Sequence, residues 1–216
     1  MAVSTRSYAI AATVAVVAGL GIMWGASVLF PSQDGDDIFA QCRRGVVGGT
    51  GALGGAFTLV SETGETVTDK DVITKPSLVY FGYTFCPDVC PLDSTRNAEA
   101  VFLLDERGYD VTPVFVSVDA ARDTPEMLAE FTDIMHPRMI GLSGSEEQIQ
   151  AASKAYRTYY KVQDPSDPYT LIDHSTQTYL MFPDIGFAEF FNRDVSPESM
   201  ADQVACFVDA YNANSK

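Results

Sequence analysis

Two continuous apolar stretches, Leu78–Tyr83 ("LVYFGY") and Val111–Val118 ("VTPVFVSV"), restrict the fold more than any other feature of the sequence. Strands buried on both faces have this pattern, and they belong to sheets that helices cover on each side. A helical pattern over 91–107 lies between the two stretches, and Gly108 is placed to end that helix. We therefore predict an α/β fold in which a mixed sheet is flanked by helices.

The shorter patterns refine this fold class. They predict helices over 124–131, 145–160 and 196–211, and strands over 57–60, 176–182 and 187–191. Thr124 and Ser196 are suitable N-cap residues, and each is followed by proline at the first helical position. A terminal hairpin plus helix, with a cysteine motif where the first long strand meets a helix, indicates a thioredoxin-like sheet. The predicted domain covers 56–212.

An uncharged stretch of 23 residues, 8–30, precedes this domain and is long enough to cross a bilayer as one helix. Arg6 and the amino terminus stand before it, and acidic residues follow it. The positive-inside rule therefore predicts a single-pass protein, with residues 1–7 in the cytoplasm and the domain on the extracytoplasmic, periplasmic-type side. A cleaved signal peptide is the alternative, but its apolar region would normally be shorter, about 7–15 residues. We interpret 8–30 as a retained transmembrane anchor.

Residues 31–55 connect the predicted anchor to the domain. They include acidic residues and the segment "GVVGGTGALGG", which is too glycine-rich for a regular element. We predict a flexible tether here.

The charge of the chain excludes one class of partner. All 29 acidic residues but only 13 of the 14 basic residues lie after Pro31, which leaves a formal net charge of −16 there. Nucleic acid is excluded because phosphate binding needs a basic surface. A basic protein partner is compatible with this charge, although many soluble proteins are simply acidic.

Cys86 and Cys90, in "CPDVC", lie just past the carboxyl end of the first long strand, where α/β sheets bind ligands. Because proline disfavours helix in the residue before it, we predict that the next helix begins at Pro91. Three interpretations are open: a structural disulfide, a thiol–disulfide catalyst or a metal site. Catalysts usually have two residues between the cysteines, whereas this pair has three. Two thiolates suit Cu(I) or zinc, and an added imidazole suits copper in either oxidation state.

The chain has two histidines that could complete a metal site. His174 stands immediately before the predicted hairpin strand, in a region that lies against the cysteine pair in thioredoxin-like folds, so we predict that it is the third ligand. Asp173 either accepts a hydrogen bond from that imidazole or caps the turn. His136 stands at a helix end before proline, and we expect it on the surface.

Three segments in this order, "VYFGYTFCPDVCP", "VSVDAARDTPEML" and "DHSTQTYLMFP", resemble the Sco/SenC family over Phe57 to Ala210. The resemblance implies a membrane-tethered thioredoxin-like protein in which Cys86, Cys90 and His174 bind copper. It also implies a role in assembling the copper centre of cytochrome c oxidase, with the subunit that carries this centre as the partner. Ala120 departs from the family, which usually has proline there, but this position is not a ligand.

Three functions remain compatible with the dithiol. The first is a copper chaperone that makes and breaks no substrate bonds and delivers copper to the oxidase subunit; a copper-donor protein is a candidate second partner. The second is a thiol–disulfide oxidoreductase that reduces the cysteines of the same client. The third is a redox or copper sensor.

The remaining cysteines are Cys42, in the predicted tether, and Cys206, in the last predicted helix. Cys206 lies off the apolar stripe of that helix, so it is poorly placed for the core. In an oxidising compartment a disulfide between the two is the economical interpretation. Two free thiols or a bridge between chains are the alternatives.

Overall fold

The structure is a computed structural model that describes residues 37–43 and 53–214. The chain divides into two compact units, 1–38 and 39–216, and every element below belongs to the second. No helix within the described residues is long and apolar enough to cross a membrane. The predicted anchor and most of the predicted tether lie outside these residues.

The strands of the described residues are β1 (Thr58–Ser61), β2 (Thr66–Thr68), β3 (Ser77–Gly82), β4 (Thr112–Ser117), β5 (Ile140–Ser143), β6 (Tyr160–Val162), β7 (Ile172–His174), β8 (Thr178–Phe182) and β9 (Gly186–Phe191). The helices are α1 (Asp69–Val72), α2 (Val89–Glu106), α3 (Pro125–Met135), α4 (Glu146–Tyr156) and α5 (Pro197–Asn214). In this part of the chain, seven strands form a mixed sheet in the order β2-β1-β5-β4-β3-β8-β9, and β6 pairs with β7 in a separate two-stranded sheet.

The centre of the sheet brings the two predicted ligand segments to one edge. All residues of β3 are buried, as the continuous apolar stretch predicted. This strand runs parallel to β4 and antiparallel to β8, with Tyr80 opposite Thr178. The carboxyl end of β3 therefore lies beside the start of β8. The chain after Gly82 and the chain before Thr178 meet there.

The predicted beginning of α2 at Pro91 is wrong, because the helix begins at Val89 and includes Cys90. Proline is tolerated in the first turn since the first N–H groups of a helix have no partner within it. The predicted end is confirmed: Arg107 caps the helix and Gly108 follows with a positive φ of 82°. The helix predicted over 145–160 ends early, at Tyr156, because Arg157 adopts a left-handed conformation with φ 51°.

The short elements were missed by the sequence patterns. β5 has four residues and lies between β1 and β4, which makes it part of the sheet centre. A strand this short that contains a glycine has no detectable period, so its tertiary pairing decides its structure. β6 and β7 form a small antiparallel hairpin that ends at His174.

The expectation that His136 lies on the surface is also wrong, since only 1% of the residue is exposed. Its ring packs against Phe102 at 4.3 Å between centroids, and Nε2 lies 3.4 Å from a carboxylate oxygen of Asp105. Nδ1 accepts the backbone N–H of Arg138. The residue after α3 therefore packs into the protein interior, and the proline that follows the histidine in the sequence gives no sign of this burial.

Candidate metal centre

The two motif cysteines lie at the junction between β3 and α2, and both are buried. Cys86 lies in the connecting loop with 7% of its surface exposed, whereas Cys90, in the first turn of α2, is 0% exposed. The backbone N–H of Cys90 donates to the Cys86 sulfur at 3.4 Å. The open start of the helix therefore points a donor at the more accessible sulfur.

His174 completes a three-residue cluster with these cysteines. Its Nε2 lies 3.1 Å from the Cys90 sulfur. The two sulfurs and one imidazole nitrogen all lie within 4.8 Å of one another, a separation at which one ion could contact all three. The three residues that the sequence singled out as ligands are thus brought together across 84 positions of the chain.

The imidazole is held in one orientation by its surroundings. Nδ1 donates to the backbone oxygen of Ser175 at 2.8 Å, which leaves the Nε2 lone pair facing the sulfurs. The rings of Tyr80 and Tyr83 meet the imidazole edge-on, at 6.2 and 5.8 Å between centroids. A metal-ligating histidine is usually oriented in this way by a hydrogen bond at its other nitrogen.

Asp173 does not make the hydrogen bond to the imidazole that the sequence suggested, because Ser175 makes it instead. Successive side chains of a strand point to opposite faces, so Asp173 and His174 diverge. The Asp173 carboxylate is exposed and accepts the side-chain N–H of Gln163 at 2.8 Å.

The two sulfurs differ in electrostatic environment. Burial would raise the pKa of Cys86, but the backbone N–H groups of Asp88, Cys90 and Val89 outweigh it and lower the pKa below its ordinary value. Burial raises the pKa of Cys90, and the neighbouring Cys86 adds to this effect. Cys86 is therefore the more reactive and more accessible of the two sulfurs.

An open cleft of about 360 Å³ leads to the cluster. Cys86 and His174 both line it, together with the loop Pro87–Val89 and residues of the β6–β7 hairpin. A small ion or the side chain of a partner can reach Cys86 and His174 from this side.

A buried carboxylate that the sequence analysis missed anchors the cysteine loop. Asp123 accepts the backbone N–H of Thr84 at 3.0 Å, the Thr84 hydroxyl at 2.6 Å and the Ser117 hydroxyl at 2.5 Å. Burial raises its pKa despite these donors. The sequence did contain a signal for this residue. Asp123 follows β4, and the carboxyl ends of parallel strands meet at the same edge of the sheet, beside the cysteine loop.

Cys42 and Cys206 lie outside this cluster and are joined by a disulfide, with 1.99 Å between the sulfurs. Phe39, which is 1% exposed, lies near this bond, stacks on Phe182 and packs at a tilt against Phe207, each at 5.1 Å between ring centroids. Phe182 ends β8, whereas His174 precedes its start, so these contacts lie at the end of β8 away from the cluster. Cys86 and Cys90 remain thiols.

The donor set fits copper. Two thiolates are soft ligands that Cu(I) prefers, and the imidazole makes the set acceptable to Cu(II). Structural zinc sites usually close with four protein ligands, and the cluster offers three.

A thioredoxin-like sheet that carries two thiols and an imidazole at its ligand edge defines a class of metal-binding or thiol-active proteins. The SCO1/SenC family model matches residues 47–209. The chain is 63% identical to protein SenC of Rhodobacter capsulatus over 97% of this chain and 94% of that protein. The chain belongs to the SCO1/SenC family.

Solved structures agree with this assignment. Arabidopsis thaliana ScoI with copper bound superimposes with a TM-score of 0.69 at 39% identity, over 73% of this chain and 99% of that chain. Bradyrhizobium japonicum ScoI with copper bound gives 0.65 at 36% identity, over 71% and 98%. The predicted thioredoxin-like fold class is confirmed.

Proposed function

We propose that the protein is a copper chaperone in which Cys86, Cys90 and His174 bind copper as cargo. The observation that carries this proposal is the distance of 3.1 Å between His174 Nε2 and the Cys90 sulfur, which joins an imidazole to the dithiol. A dithiol that served disulfide exchange alone would not need an oriented imidazole. The copper-bound Sco structures support copper as the ion.

The proposed client is the subunit of cytochrome c oxidase that carries the dinuclear copper centre, as the Sco/SenC resemblance implies. The predicted anchor over 8–30 supports this client, because it would hold the domain beside a membrane protein on the extracytoplasmic side. Tethering raises the effective concentration of the domain near the client without adding any contact.

Copper titration of the purified full-length protein, wild type against His174→Ala, tests the proposal. Loss of a ligand should weaken copper binding by roughly 100-fold or more, since loss of an outer partner alone costs about 10- to 100-fold. The loss should be greater for Cu(II) than for Cu(I), because two thiolates still satisfy Cu(I). His136→Gln is the matched control: it changes the other histidine, which lies outside the cluster, and should keep wild-type affinity. Equal affinity of His174→Ala and wild type for both ions would refute the proposal.

A thiol–disulfide reductase is the second candidate, and the difference between the two sulfurs favours it. Cys86 would attack a client disulfide, which releases one client thiol and leaves a mixed disulfide between Cys86 and the client. Cys90 would then attack the Cys86 sulfur of that mixed disulfide, which releases the second client thiol and leaves a Cys86–Cys90 disulfide. In this reaction two electrons and two protons pass from the dithiol to the client. His174→Ala should leave such activity intact on a peptide with one disulfide, whereas Cys90→Ala should stop it at the mixed disulfide.

A further inference from the structure

Arg122 lies between the two segments that carry the metal cluster, and neither copper binding nor disulfide chemistry accounts for it. Its side chain is 15% exposed, and its Nε donates to a carboxylate oxygen of Asp119, whose side chain is 5% exposed. The other Asp119 oxygen accepts the backbone N–H of Arg122 at 3.3 Å. Burying such an ion pair brings little stability by itself, so this largely buried arginine needs an explanation.

On one side, the guanidinium contacts the aromatic residues of the cysteine loop. Its central carbon lies 5.7 Å from the centre of the Tyr83 ring and 5.2 Å from that of Phe85, the residue before Cys86. A guanidinium over an aromatic face is attracted to the ring, and more strongly where water is excluded. Tyr83 extends this contact to the hairpin: its hydroxyl accepts the backbone N–H of Ile172 at 3.3 Å, and its ring meets His174 edge-on.

On the other side, the guanidinium holds the tip of the β6–β7 hairpin, residues 163–171. Nη1 donates to the backbone oxygen of Pro168 at 3.3 Å. In the part of the chain that the structure describes, this is the one hydrogen bond from the tip to a residue outside the hairpin. A cavity of about 230 Å³ is lined by the arginine on one side and by residues of the hairpin on the other. Side-chain packing under the tip is therefore incomplete, and the arginine attaches the tip to the domain.

We propose that Arg122 is a positioning residue, which holds the hairpin with His174 against the cysteine loop and so keeps the imidazole beside the two sulfurs. Without this contact the hairpin would spend part of its time away from the loop. The apparent affinity for an ion that needs all three ligands would then fall in proportion to the fraction that stays in place. An ion that two thiolates satisfy would lose less. The inference rests on the proposed function only where it concerns bound copper.

Arg122→Lys is the test variant, because it keeps the positive charge that pairs with Asp119 and should therefore fold. An ammonium group is a compact point charge, without the planar fork that reaches an acid, a backbone oxygen and two ring faces together. In metal-free, full-length protein, the amides of the hairpin should exchange with deuterium about three- to tenfold faster than in wild type, the effect of one hydrogen bond. Peptide mass spectrometry should show unchanged exchange over β3, which makes no contact with the guanidinium.

Copper titration supplies the readout that a merely structural role would not move. Arg122→Lys should weaken Cu(II) binding by about three- to tenfold and Cu(I) binding by less, because two thiolates still satisfy Cu(I). In a His174→Ala background the same change should alter Cu(II) affinity by less than about twofold, since residues that act together are not additive. Arg138→Lys is the matched control: this arginine also pairs with an aspartate, Asp105 at the end of α2 away from the cluster, and also donates to a backbone oxygen, that of Val111. It should leave hairpin exchange and copper affinity unchanged.

Unchanged hairpin exchange in folded Arg122→Lys would overturn the inference. An equal loss of Cu(II) affinity in the wild-type and His174→Ala backgrounds would also overturn it, because the arginine would then act on something other than the imidazole. Neither result changes the comparison of wild type with His174→Ala, so a failure here is distinct from a failure of the copper-chaperone proposal.

Discussion

Removing the disulfide between Cys42 and Cys206 should destabilise the domain more than any single surface change. The bond closes a loop over a sequence separation of 164 residues. The chain-entropy relation gives about 5 kcal/mol at 25 °C for a loop of this size, and measured losses run at about 2–5 kcal/mol. We expect a Cys42→Ala/Cys206→Ala variant to lose about 3–5 kcal/mol of unfolding free energy. At about 2–4 °C per kcal/mol for a domain of this size, the midpoint falls by about 6–20 °C.

Urea and thermal unfolding followed by far-UV circular dichroism measure this loss in the purified protein. Phe39 supplies an internal check, because the disulfide holds its segment against Phe182 and Phe207. Phe39→Ala should cost about 3–5 kcal/mol with the bond intact. Its cost should fall by at least about 1 kcal/mol when the bond is absent, since residues that act together are not additive. Equal midpoints for wild type and the double variant, or alkylation of both cysteines in unreduced protein, would refute the reasoning.

Two further predictions concern the site. The pKa of Cys86 is lowered and that of Cys90 is raised, so Cys86 keeps its thiolate to lower pH. Iodoacetamide at neutral pH should therefore label Cys86 first, as peptide mass spectrometry would show. If Cys90 were labelled first, the opposite pKa shifts of the two thiols would be contradicted. Gly82→Ala should lower the unfolding free energy by about 1–3 kcal/mol through overpacking and should weaken copper binding. The added Cβ would press on the Cys90 sulfur and on the Tyr80 ring. Unchanged stability and copper affinity would show that the strand tolerates the methyl group.

The main sheet could be predicted from the sequence because its central strands are long and apolar. β3 and β4 have continuous hydrophobic stretches, and α3 begins at Pro125, directly after the predicted N-cap Thr124, whose hydroxyl accepts the Met127 N–H. β5 and the β6–β7 hairpin could not be predicted in the same way. These strands have three or four residues each, too few for a period to show, and the partners of β5 are distant in the chain.

The three residues of the cluster could be chosen from the sequence because sulfur and imidazole are scarce in this chain. With four cysteines and two histidines, the fold-level position of His174 was sufficient to choose it. The supporting groups could not be chosen in this way. Asp123 is one of 29 acidic residues, and the sequence does not show that it is buried. Asp173 was chosen because it precedes His174 in the sequence. Side chains alternate between the two faces of a strand, however, so the Asp173 carboxylate points away from the imidazole.

If Cys86, Cys90 and His174 bind copper as proposed, their exposure sets the order in which a partner would replace them. His174 is half-buried and lies on a two-stranded hairpin separate from the main sheet, so it is the ligand that the smallest rearrangement releases. Cys86 lines the cleft, whereas Cys90 is fully buried and does not. In the proposed chaperone, an incoming partner ligand would therefore displace His174 or Cys86 first, and the bond to Cys90 would be the last to break. Because two soft ligands suffice for Cu(I), such an exchange would let copper pass to a partner without becoming free. A site with three equally exposed ligands would have no such order.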